Sequence, residues 1–237
     1  SPFELRTGSG QKLLSLPART EVQVTYSKST AQYTVNTTLL NQTYNDYIVF
    51  KALDNNTIME ILSFERRLPW NPAVNENLFR GSLEIRHAAA TDKTWAINVL
   101  PMEQYIKGIA ETSSESSVEF LKVMSVAART YATYHYERQT KHADENFYVD
   151  SVYDQVYKGY ALEKRHPRLA EAVDATTGEV VTWTNPATGE TKIAITPYFS
   201  SSDGRTRSWS EVWGGDVAWA KSVPVPHDQG KQLLGHG

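Results

Sequence analysis

Glu111 lies in the stretch Ile109-Ala110-Glu111-Thr112-Ser113-Ser114-Glu115-Ser116-Ser117, between two segments that both read as helix. A carboxylate in a helix-to-helix connection is where a catalytic acid can face a cleft and pass a proton to or from a reacting oxygen. On chemistry alone the plainer reading of such a glutamate is a solvated loop carboxylate, because glutamate is common on surfaces. Glu115 and Glu119 are each accounted for as negative partners of the following helix dipole. Arg129 sits among small residues in Ala127-Ala128-Arg129-Thr130-Tyr131. It reads either as a structural ion pair or as a planar fork that positions a carboxylate or a ligand. Tyr198 and Ser200-Ser201-Ser202 precede Asp203-Gly204, which is also the pattern of a polar hairpin without chemistry. A serine nucleophile is a poor reading, since the segment is not G-x-S-x-G and no histidine or acid has triad context.

Other chemistries are bounded by what is missing. His87, His135, His142, His166, His227 and His236 show no H-E-x-x-H or comparable spacing, so no metal site is expected. Zero cysteines exclude a disulfide framework and thiolate ligands. No cofactor motif is present either, and the expectation is a chain without cofactors. The formal charge of -3, from 24 basic and 27 acidic residues, comes without a Lys/Arg cluster, which argues against nucleic acid as a partner. At 40% hydrophobic and 22% charged, the chain has an ordinary globular composition rather than that of a disordered segment or a coiled coil. No apolar run approaches the roughly 18 residues of a membrane span, and Ser1-Pro2-Phe3-Glu4 has no signal-peptide character.

The elements that must position these residues fall into two parts. Up to about residue 100, short runs rich in β-branched and aromatic residues read as half-buried strands: Glu21 to Tyr26, Gln32 to Val35, Tyr47 to Phe50 and Thr57 to Leu62. Pro69-Trp70-Asn71-Pro72 reads as a loop, and Phe79 to Arg86 with Trp95 to Val99 as a hairpin joined by Ala88 to Thr94. Pro101 suits a helix first turn, with Met102, Tyr105, Ile106 and Ile109 supplying one apolar stripe. Ser116-x-x-Glu119 has the pattern of a capping box, and Val118, Leu121, Ser125, Ala128 and Ala132 share a face behind it. A second helix is therefore expected from about Ser117 to about Arg138, with Glu111 ahead of it. Beyond residue 145, strands are expected at Asn146 to Val149, Gln155 to Tyr157, Gly178 to Trp183 and Ile193 to Phe199, with a short helix at Ala170 to Ala175.

Five ordered blocks carry a resemblance. Leu100-Pro101-Met102-Glu103-Gln104-Tyr105-Ile106-Lys107-Gly108-Ile109, with Glu111 and Ala127-Ala128-Arg129-Thr130-Tyr131-Ala132, is similar to the core signature of the SpoIID/LytB family, named for stage II sporulation protein D. Arg80-Gly81-Ser82-Leu83-Glu84 precedes it, Gln155-Val156-Tyr157-Lys158-Gly159 follows, then Tyr198 to Thr206 and Glu211-Val212-Trp213-Gly214-Gly215. Together they span roughly residues 77 to 220. The resemblance implies an extracytoplasmic lytic transglycosylase that cuts peptidoglycan between N-acetylmuramic acid and N-acetylglucosamine, leaving a 1,6-anhydro sugar. It puts the catalytic glutamate at Glu111. It also implies substrate contacts by Arg129, Gln155, Tyr198, Ser200, Ser202 and Arg205. The implied partners are peptidoglycan glycan strands and, through an enhancer role attached to LytB-type members, a wall amidase; a non-catalytic wall-binding protein is the competing reading.

One carboxyl group suffices for that reaction. Ordinary glycosidases use two, one to protonate the leaving oxygen and one to attack or to activate water. Here the muramic acid's own C6 hydroxyl attacks, so a single glutamate serves as acid and then as base. A carboxyl that donates near neutral pH is expected to have its pKa raised by burial or apolar neighbours.

The pattern departs from the family in three places. Thr112-Ser113-Ser114 follows Glu111 where the family has a hydrophobic residue and proline, and Asp203 stands where it commonly has glycine. The chain stops at Leu234-Gly235-His236-Gly237, where the family continues through a Gly-His-Gly-Val-Gly type motif, so a truncated cleft is expected. The zinc site of some relatives is not carried over, because its cysteines are missing. Trp70, Trp95, Trp183 and Trp219 read as core anchors, with Trp209 and Trp213 as the sugar-facing exceptions. The expected fold is α+β, with a β-rich N-terminal region over residues 1–76 and a mixed catalytic domain over 77–237, built on two central helices and antiparallel strands.

Overall fold

A computed structural model describes residues 1–228. The fold is α+β with antiparallel sheets, strand-rich toward the N-terminus. The main sheet has five strands in the spatial order Lys93–Val99, Ser82–Ala88, Ile48–Ala52, Phe3–Thr7 and Lys12–Leu16. Leu5, Leu16 and Ile48 are completely buried in it, and the Phe3 and Phe50 rings stack at 6.2 Å. A three-stranded meander, Gln23–Ser27, Gln32–Asn36 and Asn41–Tyr44, turns Tyr33 and Val35 inward. It is tied to the main sheet where the His87 amide donates to the Tyr33 hydroxyl at 2.7 Å.

The expected division at residues 76/77 is not a break in this structure. Strand Ile48–Ala52 pairs with Ser82–Ala88 across it, and one buried cluster joins Phe3 and Leu5 to Leu121, Leu169 and Val173. Alternating polarity marks which face of a strand is buried but not which strand it pairs with, so the shared sheet was invisible in the pattern. Pro69-Trp70 is the tight turn between strands Arg67–Leu68 and Asn71–Asn75 rather than a longer loop. It leaves Trp70 79% exposed, so Trp70 is not a core anchor.

Two helices frame the segment that carries Glu111. Helix α1, Met102–Ile106, is only five residues long; Ile106 is buried, while Ile109 has left the helix. Helix α2, Val118–Arg138, starts at Ser117, whose hydroxyl accepts the Phe120 amide at 3.3 Å. The cap is thus Ser117 and not the Ser116/Glu119 box; Glu119 instead pairs with Lys122. Leu121, Ser125, Ala128 and Ala132 are buried as the periodicity requires, whereas Val118 is exposed at the first turn. Helices α3, Tyr160–Arg165, and α4, Pro167–Ala175, follow, and α4 packs on α2. A fifth helix, α5, spans Trp209–Val212. Among the described residues no helix is long and apolar enough to cross a membrane.

The strands expected at Asn146 to Val149 and Gln155 to Tyr157 are absent. Asp150 Oδ1 accepts the Val152 and Tyr153 amides at 2.7 and 2.8 Å, and Asp154 accepts the Asp150 amide at 2.7 Å. Such side-chain bonds give the backbone an alternative to a ladder. Of Ile193 to Phe199 only Ile193 lies in a strand, the last residue of Thr191–Ile193, which pairs with Thr182–Thr184. Pro197 has no N–H to extend it.

Gly159 starts α3 at φ 65°, and a Cβ there would stand 2.5 Å from the Leu78 carbonyl oxygen. Gly178 has a similar φ of 75° but nothing within 4 Å. Gly178→Ala should cost about 1–2 kcal/mol from the backbone alone. Gly159→Ala should cost more, because backbone must also move. Urea midpoints of the two variants compare the costs, and equal losses would contradict the contact.

Candidate active site

The chain after α1 doubles back on residues 156–158. Ala110 N–H donates to Val156 O at 2.7 Å and Lys158 N–H to Gly108 O at 2.8 Å, making a bridge between Ile109 and Tyr157. Gly108 permits the approach, since a Cβ there would lie 2.4 Å from the Tyr157 ring. The next residue is Glu111, and its Oε1 accepts the Val156 amide at 2.7 Å. The carboxylate therefore takes the donor that a longer ladder would have used, which fixes its orientation. Its surroundings are mainly apolar: Ile106, Ile109, Met124, Ala128 and Leu169 line a small cavity with it, together with Thr112. The loop beyond is held by Arg168, which donates to Ser114 O at 2.9 Å.

Gln155, 1% exposed, uses its whole amide inside the protein. Its Oε1 accepts from the Tyr105 hydroxyl at 3.0 Å, and its Nε2 donates to Ala128 O and to the Tyr198 hydroxyl, both at 3.1 Å. Because Tyr198 accepts from Gln155, its own O–H is left to donate elsewhere. Burial raises the Tyr198 pKa well above its ordinary value; the Gln155 bond opposes this and the Glu111 charge adds to it. Tyr198 is thus a neutral donor within the electrostatic reach of Glu111. Tyr198→Phe leaves one buried Gln155 N–H without a partner and should destabilise by about 1–3 kcal/mol. Thermal unfolding measures that loss, and an unchanged midpoint would mean the bond contributes nothing.

Arg129 does not join this group. It is 2% exposed and clasps Glu103, with Nε to Oε1 at 3.0 Å and a terminal nitrogen to Oε2 at 2.6 Å. Its remaining donors reach Glu179 O at 3.1 Å and Val173 O at 3.3 Å. The implied glycan contact is therefore corrected: Arg129 joins α1, α2 and the end of α4 from inside. Asp154 is similarly occupied. Burial alone would raise its carboxyl, but Lys141, the Asp150 amide and His142 Nε2 at 2.7 Å outweigh burial and hold it below the usual range.

Residues 90–183 match the family model described as "SpoIID: Stage II sporulation protein". The chain is 26% identical over 147 residues to stage II sporulation protein D of Bacillus subtilis, covering 56% of this chain and 41% of the relative. It is 26% identical over 149 residues to the protein of the same name from Bacillus amyloliquefaciens, with the same two coverages. An uncharacterized protein of Brachyspira hyodysenteriae is 33% identical over 135 residues, covering 56% of this chain and 34% of that one. The central part of this chain belongs to the SpoIID family. The aligned segments thus span about a third to two fifths of these relatives' own lengths.

Beyond the matched residues the serine segment separates into different roles. Ser200 is exposed at the surface, whereas Ser202 is 4% exposed, with its amide and hydroxyl both on Asp228 at 3.0 Å. Arg205 is held by Glu211 at 2.6 and 3.0 Å and by Ser222 at 3.1 Å. Ser202 and Arg205 are thus tied within the C-terminal segment. Trp209 and Trp213 pack ring to ring at 4.5 Å, with Trp213 57% exposed. Leu234 to Gly237, where a departure from the family motif was expected, lie outside the described residues. The structure thus brings Glu111, Gln155 and Tyr198 together. It adds Tyr105 and the Val156 amide, of which only Tyr105 had a side-chain signal, its place on the α1 stripe.

Proposed function

We propose that this SpoIID chain is a peptidoglycan lytic transglycosylase acting outside the cytoplasm, with Glu111 as its single general acid and base. The observation that carries the reading is the state of Glu111. It is oriented by one backbone N–H at 2.7 Å and, among the described residues, forms no ion pair, whereas nearby Glu103 and Asp154 are each ion-paired. A carboxyl tied to a cation is held as an anion; an acid that must donate is better without one.

In the proposed reaction Glu111 protonates the glycosidic oxygen as the bond to muramic acid C1 breaks. The resulting carboxylate then removes the C6 hydroxyl proton as O6 closes on C1. That attack is intramolecular, and well-oriented groups gain on the order of 7–11 kcal/mol from such proximity. Tyr198 is placed to donate its remaining O–H to a sugar oxygen. The partners on this reading are glycan strands and a wall amidase.

Incubation with purified wall glycans tests the proposal. Anhydro-sugar products seen by mass spectrometry support cleavage. Glycan binding without product supports the other reading, a non-catalytic wall-binding protein or amidase enhancer.

A further inference from the structure

A groove of about 650 Å³, in which Glu111 has no part, runs along the edge strand Lys93–Val99 of the main sheet. Its far wall is formed by residues 146–151 and the C-terminal half of α2. The register pairs Arg86 with Trp95 and Glu84 with Ile97, so all four side chains stand on one face of the sheet. Opposite them Phe147 meets the Trp95 ring edge-on at 5.1 Å, and Tyr148 meets Tyr136 in the same way at 5.1 Å. Tyr136 and Tyr148 are 52% and 42% exposed, so open aromatic surface stands at the mouth.

Two further observations narrow the occupant. The Trp95 indole N–H is buried without a hydrogen-bond partner, an uncommon state for a buried donor. The lining carries two cations, Arg66 and Arg86, and two carboxylates, Glu84 and Asp150, with Arg86 donating to Asn146 at 3.0 Å and to Glu84 at 3.3 Å. No surplus charge remains to select an anion or a cation. A wholly apolar ligand would leave the indole N–H without a partner and desolvate the Arg86–Glu84 pair. A neutral sugar chain supplies C–H faces for the rings and oxygens for the donors, and the volume lies in the range of ligand pockets.

We propose that this groove is a second binding site, for a neutral oligosaccharide, with Trp95 and Tyr148 as platforms and the Trp95 indole N–H donating to a sugar oxygen. Tyr105 lines the groove and donates to Gln155, which in turn donates to Tyr198. Tyr105 thus links the groove by hydrogen bonds to Gln155 and Tyr198. The proposed ligand is a neutral oligosaccharide, and its binding does not rest on the proposed function.

The test titrates the Glu111→Gln protein with a β-1,4-linked N-acetylglucosamine hexasaccharide, by calorimetry and by NMR of the indole N–H groups. The expected result is binding that shifts the Trp95 indole resonance. Trp95→Phe should weaken it about 2- to 12-fold, the range of one hydrogen bond. Tyr148→Ala, a change at an exposed side chain, should weaken it about tenfold through lost stacking. Circular dichroism verifies that each variant is folded. Failure to bind, binding indifferent to both substitutions, or occupation by the apolar dye anilinonaphthalene sulfonate that the sugar does not displace would each overturn the proposal. Groove-dependent binding without wall cleavage by the wild type would defeat the transglycosylase reading alone, and cleavage without groove-dependent binding would defeat the groove alone.

Discussion

Glu111→Gln should lower the rate of anhydro-sugar release by about a hundred- to ten-thousand-fold, the contribution of a positioned general acid and base. The substitution keeps the shape of the side chain and an oxygen that can accept the Val156 amide, now bonded at 2.7 Å. The bridge between residues 108–111 and 156–158 should therefore persist, and the urea midpoint should shift little. What disappears is the transferable proton. Single-turnover assays on stripped glycan separate this loss from binding: the chemical step should slow while affinity stays near that of the wild type. A variant that fails through weakened affinity would instead make Glu111 a binding residue.

Arg129→Ala should produce the largest loss of stability, about 3–5 kcal/mol, as expected when one partner of a buried ion pair is removed. The deletion strands Glu103 and withdraws donors from the Glu179 and Val173 carbonyls at 3.1 and 3.3 Å. Arg129→Lys should also destabilise, because a point-like ammonium cannot serve both carboxylate oxygens and two carbonyls together. Equilibrium urea unfolding measures both. A variant of wild-type stability that loses only glycan affinity would restore the ligand role that the resemblance implied and the geometry does not support.

The contrast between these two residues shows what could be read from the sequence. Two apolar stripes placed Glu111 in a connection between helices, but the family resemblance, not its chemistry, singled it out as the catalytic candidate. Arg129 was ambiguous because the same residue type serves an ion pair or a ligand, and Glu103, which decides between them, lies 26 positions upstream. Helix α2 was legible from its periodicity, but its cap moved by one residue, since adjacent serines offer the same chemistry. Residues 146–149 and 155–157 were misread as strands because Asp150 and Asp154 bind their own local amides, an effect absent from β-propensity. Val156 acts through its amide alone, so its side chain carried no signal. Ser202 and Arg205 fell in a recognisable block, yet Asp228 and Glu211 occupy them, and such pairings appear only once the chain is folded.

The most direct test of the central claim is mass spectrometry of wall glycans, stripped of stem peptides, after incubation with equal amounts of wild-type and Glu111→Gln protein. The account predicts 1,6-anhydro-muramic products from the wild type and none above background from the variant. Equal product from the two proteins would remove Glu111 from the mechanism.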